Sequence, residues 1–158
     1  MMDFKQWMAA SALTLMCSSA AMAGDIDRHS LPNSDFPILQ AVTVEGAKVT
    51  YLSGTVPQQR EDGTYGDTEV QTVSVLKGIE AKLESHGLGM GDVIKMTAFL
   101  VPTEESSRMD FAGFMDGYTQ FFGTEAQPNL PTRSVVGVSD LANEEWLVEI
   151  EVVAATTD

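Results

Sequence analysis

Positive charge, histidine and cysteine are all scarce in this chain of 158 residues. Nine Lys and Arg stand against 23 Asp and Glu, a net charge of −14, so the average surface repels phosphate backbones and anionic headgroups. That weighs against nucleic acid as a partner and against a membrane surface. The two histidines, His29 in a polar leader and His86 at an expected helix end, give a histidine triad or a two-histidine metal site almost nothing to draw on. Gly87-Leu88-Gly89-Met90-Gly91 lacks the strand before and the helix after that a phosphate loop needs, and reads as a helix-to-strand turn. The acidic pairs Glu104-Glu105 and Glu144-Glu145 show no spaced oxygen-ligand loop and read as solvated surface. No metal site is expected.

No apolar run reaches the roughly 20 residues of a membrane span. The N-terminal segment instead has Lys5 near its start, a short apolar run from Met8 to Met16, and Ala21-Met22-Ala23 before Gly24. That three-part pattern predicts a signal peptide over residues 1–23, cleaved on export to a periplasmic or extracellular space, with no membrane association afterwards. Cutting there removes the single cysteine, Cys17, and with it any thiol nucleophile, disulfide or thiolate ligand. It also removes one Lys and one Asp, so 135 of the 158 residues remain and still carry −14.

What remains, with 44% hydrophobic residues over the whole chain, suffices for one domain core. Residues 24–34 are polar and read as a mobile leader; residues 35–158 form the domain. Leu39 to Val44 and Lys48 to Leu52 read as a paired strand hairpin around Glu45-Gly46-Ala47. Asp67 or Thr68 can cap a helix with apolar positions Val70, Val73, Leu76, Ile79 and Leu83, stopped by Gly87. Val93 to Val101 reads as a central strand, and Arg108 to Phe122 as a second helix whose aromatic stripe is read as core. Thr132 to Val138 and Trp146 to Ala155 complete the order β-β-α-β-α-β-β. The expected class is α+β: a mixed five- or six-stranded sheet with two helices on one face, its other face meeting another subunit.

Arg133 stands out by charge. After Arg108 it is the only basic residue among nine acids, and the turn Pro128-Asn129-Leu130-Pro131 delivers it into an apolar strand. Such an arginine can grip a carboxylate bidentately or pair with one of those acids, and the residues alone leave both open. Glu149 and Glu151 share one face of a strand whose Val148, Ile150 and Val152 face the other way, which implies solvent, a partner or an acid/base group.

Pro131-Thr132-Arg133-Ser134-Val135-Val136-Gly137-Val138, followed by Leu147-Val148-Glu149-Ile150-Glu151-Val152-Val153-Ala154, resembles the signature of the RidA/YjgF family of reactive-intermediate deaminases. Gln40-Ala41-Val42, Tyr51-Leu52-Ser53-Gly54, Lys95 to Leu100 and Tyr118 to Gly123 resemble further family segments in the same order. The resemblance implies a chorismate-mutase-like fold, a homotrimer with clefts between subunits, and cofactor-free hydrolysis of small imino or enamino acids to 2-oxo acids and ammonia. It implies that Arg133 holds the substrate carboxylate and Glu149 positions water, with Ser53, Gly54 and the backbone at Val135 lining the cleft. Against the family pattern, Ile38 replaces a tyrosine, Met115 an asparagine and Val135 a cysteine. With Tyr118 these would line a more apolar pocket, suited to a bulkier imino acid. The other reading on this fold is a non-catalytic trimer that binds a small carboxylate or protects other proteins; ribonuclease activity ranks third because of the charge.

Overall fold

The computed structural model describes residues 24–103 and 106–157. The expected signal segment and the Glu104-Glu105 pair lie outside the described residues. Six strands and two helices follow in the order β1 (Asp25–Ser30), β2 (Leu39–Glu45), β3 (Lys48–Thr55), α1 (Thr68–Ser85), β4 (Val93–Leu100), α2 (Phe111–Tyr118), β5 (Thr132–Gly137) and β6 (Val148–Thr156). The class is α+β, as the sequence predicts.

Helix α1 starts where a carboxylate can take an orphan backbone donor: Asp67 Oδ1 accepts from the Val70 N–H at 2.9 Å. It stops at Gly87, whose φ of +73° lets the Gly87 and Leu88 N–H groups return to Glu84 O and Leu83 O. Leu76, Ile79 and Leu83 face the core as expected, whereas Val70 lies at the rim and Gln71, Thr72 and Val75 are buried. Gln71 tolerates burial because it is saturated. It donates to Gly66 O and Glu145 O and accepts from the Leu147 N–H, tying α1 to the turn before β6.

Helix α2 is shorter than the apolar stripe suggests. Asp110 caps it by accepting from the Gly113 N–H at 3.0 Å, and beyond Tyr118 the chain tightens into turns that end at Gly123, φ +73°. The stripe survives the helix end, since Phe114, Tyr118 and Phe122 stack with centroids 5.9 and 5.0 Å apart. Gly117 brings the helices together, because a Cβ there would sit 2.7 Å from Thr72 Cβ.

Four strands form the main sheet in the order β3-β6-β4-β5. β4 and β5 are parallel, joined across α2, and the other pairs are antiparallel. Val93, Met96, Ala98 and Leu100 of β4, with Val148, Ile150, Val152 and Ala154 of β6, are buried and belong to one core with both helices. The alternate residues, among them Tyr51, Lys95, Thr97, Glu149 and Glu151, face away from the helices, and Tyr51 is 78% exposed. This open face is the one the sequence leaves for a second subunit.

Two expectations are corrected. Residues 24–34 are not a mobile leader: β1 pairs antiparallel with β2 from Asp25↔Glu45 to Ser30↔Leu39. Nor do β2 and β3 pair as a hairpin. β2 bonds to β1 in a separate two-stranded sheet, and the turn at Gly46, φ +61°, passes the chain from one sheet to the other. Polar composition hid β1 because its anchor is a cation rather than an apolar stripe. Arg28 Nη1 donates to Val93 O at 3.1 Å and Leu130 O at 2.7 Å, and Nη2 to Gly91 O at 2.8 Å. Burial lowers its pKa from the ordinary arginine value, opposed by nearby Asp92.

Candidate functional site

Strand β5 enters from Pro131 and carries Arg133 opposite Met96 of β4. Paired residues of a parallel ladder point to the same face, so the guanidinium lies on the helix side, over α2. Its Cζ is 4.1 Å from the Tyr118 ring centroid, 5.2 Å from Phe114, 5.5 Å from Phe36 and 6.0 Å from Phe111. Nη2 donates to Met115 Sδ at 3.2 Å, a weak acceptor. Nη1 is buried with no hydrogen-bond partner. None of the acids among the described residues forms an ion pair with Arg133; the one such pair there is Arg60–Asp62, at 3.3 Å on the surface.

The electrostatic consequence is direct. Ring faces contribute about 0.5–2 kcal/mol of cation–π attraction, but they accept no strong hydrogen bond. An unmet buried donor costs on the order of 1–3 kcal/mol, more when it is charged. Burial lowers the Arg133 pKa from the ordinary value, opposed by Tyr118, and the same burial pushes Tyr118 up to about 12. The Tyr118 hydroxyl meanwhile donates to Pro37 O at 2.9 Å. The arrangement is a cation held in an aromatic box with Nη1 unpartnered, a geometry that could receive an anion.

Of the other residues singled out in the sequence, Met115 and Tyr118 touch the guanidinium. Ile38 is half-buried and directly follows Pro37. Val135 pairs with Ala98 and its side chain packs on the core. β5 is an edge strand, and the Val138 N–H bonds to Leu100 O across to β4; alternation then turns the Val135 backbone groups outward, to the free edge.

Glu149 lies elsewhere. It pairs with Phe99 on the open face, beside Gly54, where an added Cβ would run into Glu149 Oε1. Ser53 is exposed on that face too. The β3/β6 register shifts between Leu52 and Thr55, and this irregularity at Ser53-Gly54 gives the carboxylate its room. The candidate residues therefore fall into two clusters on opposite faces of one sheet: Arg133, Tyr118 and Met115 on one, Glu149, Ser53 and Gly54 on the other. Sequence reasoning missed Phe36 and Phe111 as neighbours of Arg133 and treated the α2 stripe as core alone. Aromatic periodicity signals burial whether or not a cation sits on the rings. Among the described residues no cluster of three or more His, Cys, Asp or Glu side chains could hold a metal ion.

Residues 33–156 match the family model described as endoribonuclease L-PSP. TdcF of Escherichia coli K12 is 33% identical over 130 residues, covering 82% of this chain and 94% of TdcF. The chain belongs to the RidA/YjgF family. The 2-iminobutanoate/2-iminopropanoate deaminase of Salmonella typhimurium, another relative of this RidA/YjgF member, is 31% identical over 134 residues, covering 84% of this chain and 98% of that protein. Among solved structures, E. coli TdcF with bound serine is similar at TM-score 0.56 and 31% identity, over 82% of this chain and 92% of that one. The Rid-family protein YyfB from Yersinia pestis is similar at TM-score 0.66 and 22% identity, over 85% and 100%, and shows that the RidA fold is shared.

Proposed function

We propose that the protein hydrolyses imino and enamino acids to 2-oxo acids and ammonia, at sites completed between copies of the chain. The observation that carries this reading is the partially unsatisfied Arg133 guanidinium, a fixed cation with free donors in a strongly acidic protein. A 2-imino acid offers what it lacks, a carboxylate next to the reacting carbon. The imine relative from Salmonella and the serine bound to TdcF, a small carboxylate, support the same chemistry.

Arg133 binds and orients the substrate carboxylate, with the outward Val135 backbone at the cleft edge. Glu149 accepts a proton from water as the oxygen attacks the imine carbon. An enamine first tautomerises to the imine, its β-carbon taking a proton; in the adduct of the protonated imine the nitrogen takes the proton back from Glu149, and as the C–N bond breaks and ammonia leaves, the hydroxyl returns its own proton to the carboxylate and becomes the carbonyl of the 2-oxo acid. Ser53 and Gly54 keep space around the carboxylate. Because Arg133 and Glu149 lie on opposite faces of one sheet, the substrate meets them together only when the open face of a neighbouring copy covers the β5 edge. A closed ring of three is the assembly this reading adopts. Export also belongs to it: residues 1–23 act as a signal peptide cleaved after Ala23, and mass spectrometry of the mature N-terminus tests the cut.

The activity test couples an amino-acid oxidase, as imine source, to semicarbazide competition. The native protein is expected to accelerate imine loss, and Arg133→Ala and Glu149→Gln to abolish the acceleration. Equal rates for all three overturn the catalytic reading, and carboxylate binding without turnover favours the non-catalytic binder.

A further inference from the structure

Arg133 Nη1 is sealed from solvent as well as unpaired, so an anion reaches it only after something moves. Two of the four surrounding rings cannot yield easily: Phe114 and Tyr118 are fully buried within the core. The outer two are partly exposed, Phe36 at 41% and Phe111 at 36%. Phe111 is the first residue of α2 and stacks against Phe114 at 6.2 Å. Phe36 belongs to no helix or strand, and its ring lies 5.5 Å from the Arg133 Cζ.

The backbone around Phe36 is nonetheless pinned. The Phe36 N–H donates to Ser34 Oγ at 3.2 Å, the Ile38 N–H to Phe36 O at 2.8 Å, the Tyr118 hydroxyl to Pro37 O, and the Leu39 N–H to Pro131 O. Rotation about the side chain, rather than loop opening, is therefore the motion open to Phe36.

We propose that Phe36 is a side-chain gate on Arg133 that sets the substrate class, favouring carboxylates whose apolar side chain takes the place of the displaced ring. The inference rests on Arg133 being the carboxylate site. A two- or three-carbon acid that turns Phe36 out loses the cation–π contact and supplies nothing in its stead. An acid with an aromatic or long aliphatic side chain restores an apolar group beside Phe111 and the Met115 thioether. The preferred substrates are then imines of amino acids such as phenylalanine or leucine rather than of alanine or serine.

Calorimetric binding of two stable 2-oxo acids, phenylpyruvate and 2-oxobutanoate, separates this from the activity itself. The native protein is expected to prefer phenylpyruvate by about tenfold. Phe36→Ala is expected to tighten 2-oxobutanoate and erase most of that preference, with Phe36→Leu intermediate. Kinetics on the matching imines should show the same crossover in KM, with kcat retained. An unchanged preference in both variants overturns the gate, as does an equal loss of affinity for both acids, which marks a merely structural role. If Arg133→Ala binds both acids as well as the native protein, the carboxylate site and the gate fall together; if only the crossover is missing, the site stands and the gate falls.

Discussion

Arg133 sits where its charge is costly to hold, half-buried among four rings with Nη1 unpartnered. Replacing a buried, incompletely paired ion by an apolar side chain of similar volume is often neutral or stabilising. Arg133→Met is therefore expected to match or exceed the native protein in urea denaturation, by up to about 1–2 kcal/mol, while losing carboxylate affinity by about 100-fold, the scale of charged hydrogen bonds. Arg133→Lys should recover little, since an ammonium cannot present the planar fork. Its neighbour Tyr118 links the same box to pH. Burial raises its phenol from 10.0 to about 12, so between those values the unfolded chain loses the proton and the folded chain keeps it. The stabilising contribution is complete below about pH 10 and disappears as pH rises through about 12. Denaturation midpoints should fall more steeply across that window in the native protein than in Tyr118→Phe. The sequence showed the isolation of Arg133 among acids, because charge counting needs no coordinates. It did not show Phe36 as a neighbour, because that contact joins residues 97 positions apart with no periodicity to betray it.

At the scale of elements, β1 is held by one side chain more than by its composition. Arg28 takes three backbone carbonyls, at Gly91, Val93 and Leu130, and the last stands three residues before Arg133. Arg28→Ala is expected to cost about 2–3 kcal/mol, given the worth of charged hydrogen bonds, and to raise hydrogen exchange in β1 and β2 before the rest of the fold. Asp67→Ala, which removes only the α1 cap, should cost about 1 kcal/mol and leave β1 untouched. The helices were legible because a cap, a 3.6-residue apolar period and a glycine stop are local signals. The leader strand and the β2 pairing were not, because strand partners are chosen by distant backbone groups. Gln71 illustrates the same limit: its burial follows from acceptors and donors in residues 66, 145 and 147.

The whole molecule carries −14 before any association, so copies that meet must do so against mutual repulsion. Added salt screens that repulsion, and sedimentation at rising ionic strength should move the protein toward a trimer of the mature chain. A monomer at all salt concentrations would leave the two clusters unjoined. Their placement on opposite faces permits a sharper test by complementation. Arg133→Ala and Glu149→Gln, each inactive alone, should regain about a quarter of native activity when co-expressed as mixed trimers, because one interface in four then unites an intact arginine with an intact glutamate.

The position of β6 carries a consequence of a different kind, in time rather than space. The last strand to be synthesised lies between β3 and β4, with Val148, Ile150 and Val152 in the core. A nascent chain that has already made β1 through β5 still has a slot in the middle of its sheet, and α1 and α2 have only part of a floor to pack on. The main sheet can close only after the ribosome has released the residues of β6. The chain is thereby kept loose until its synthesis is nearly done, and trimming a few residues from β6 should damage folding far more than trimming the same number ahead of β1.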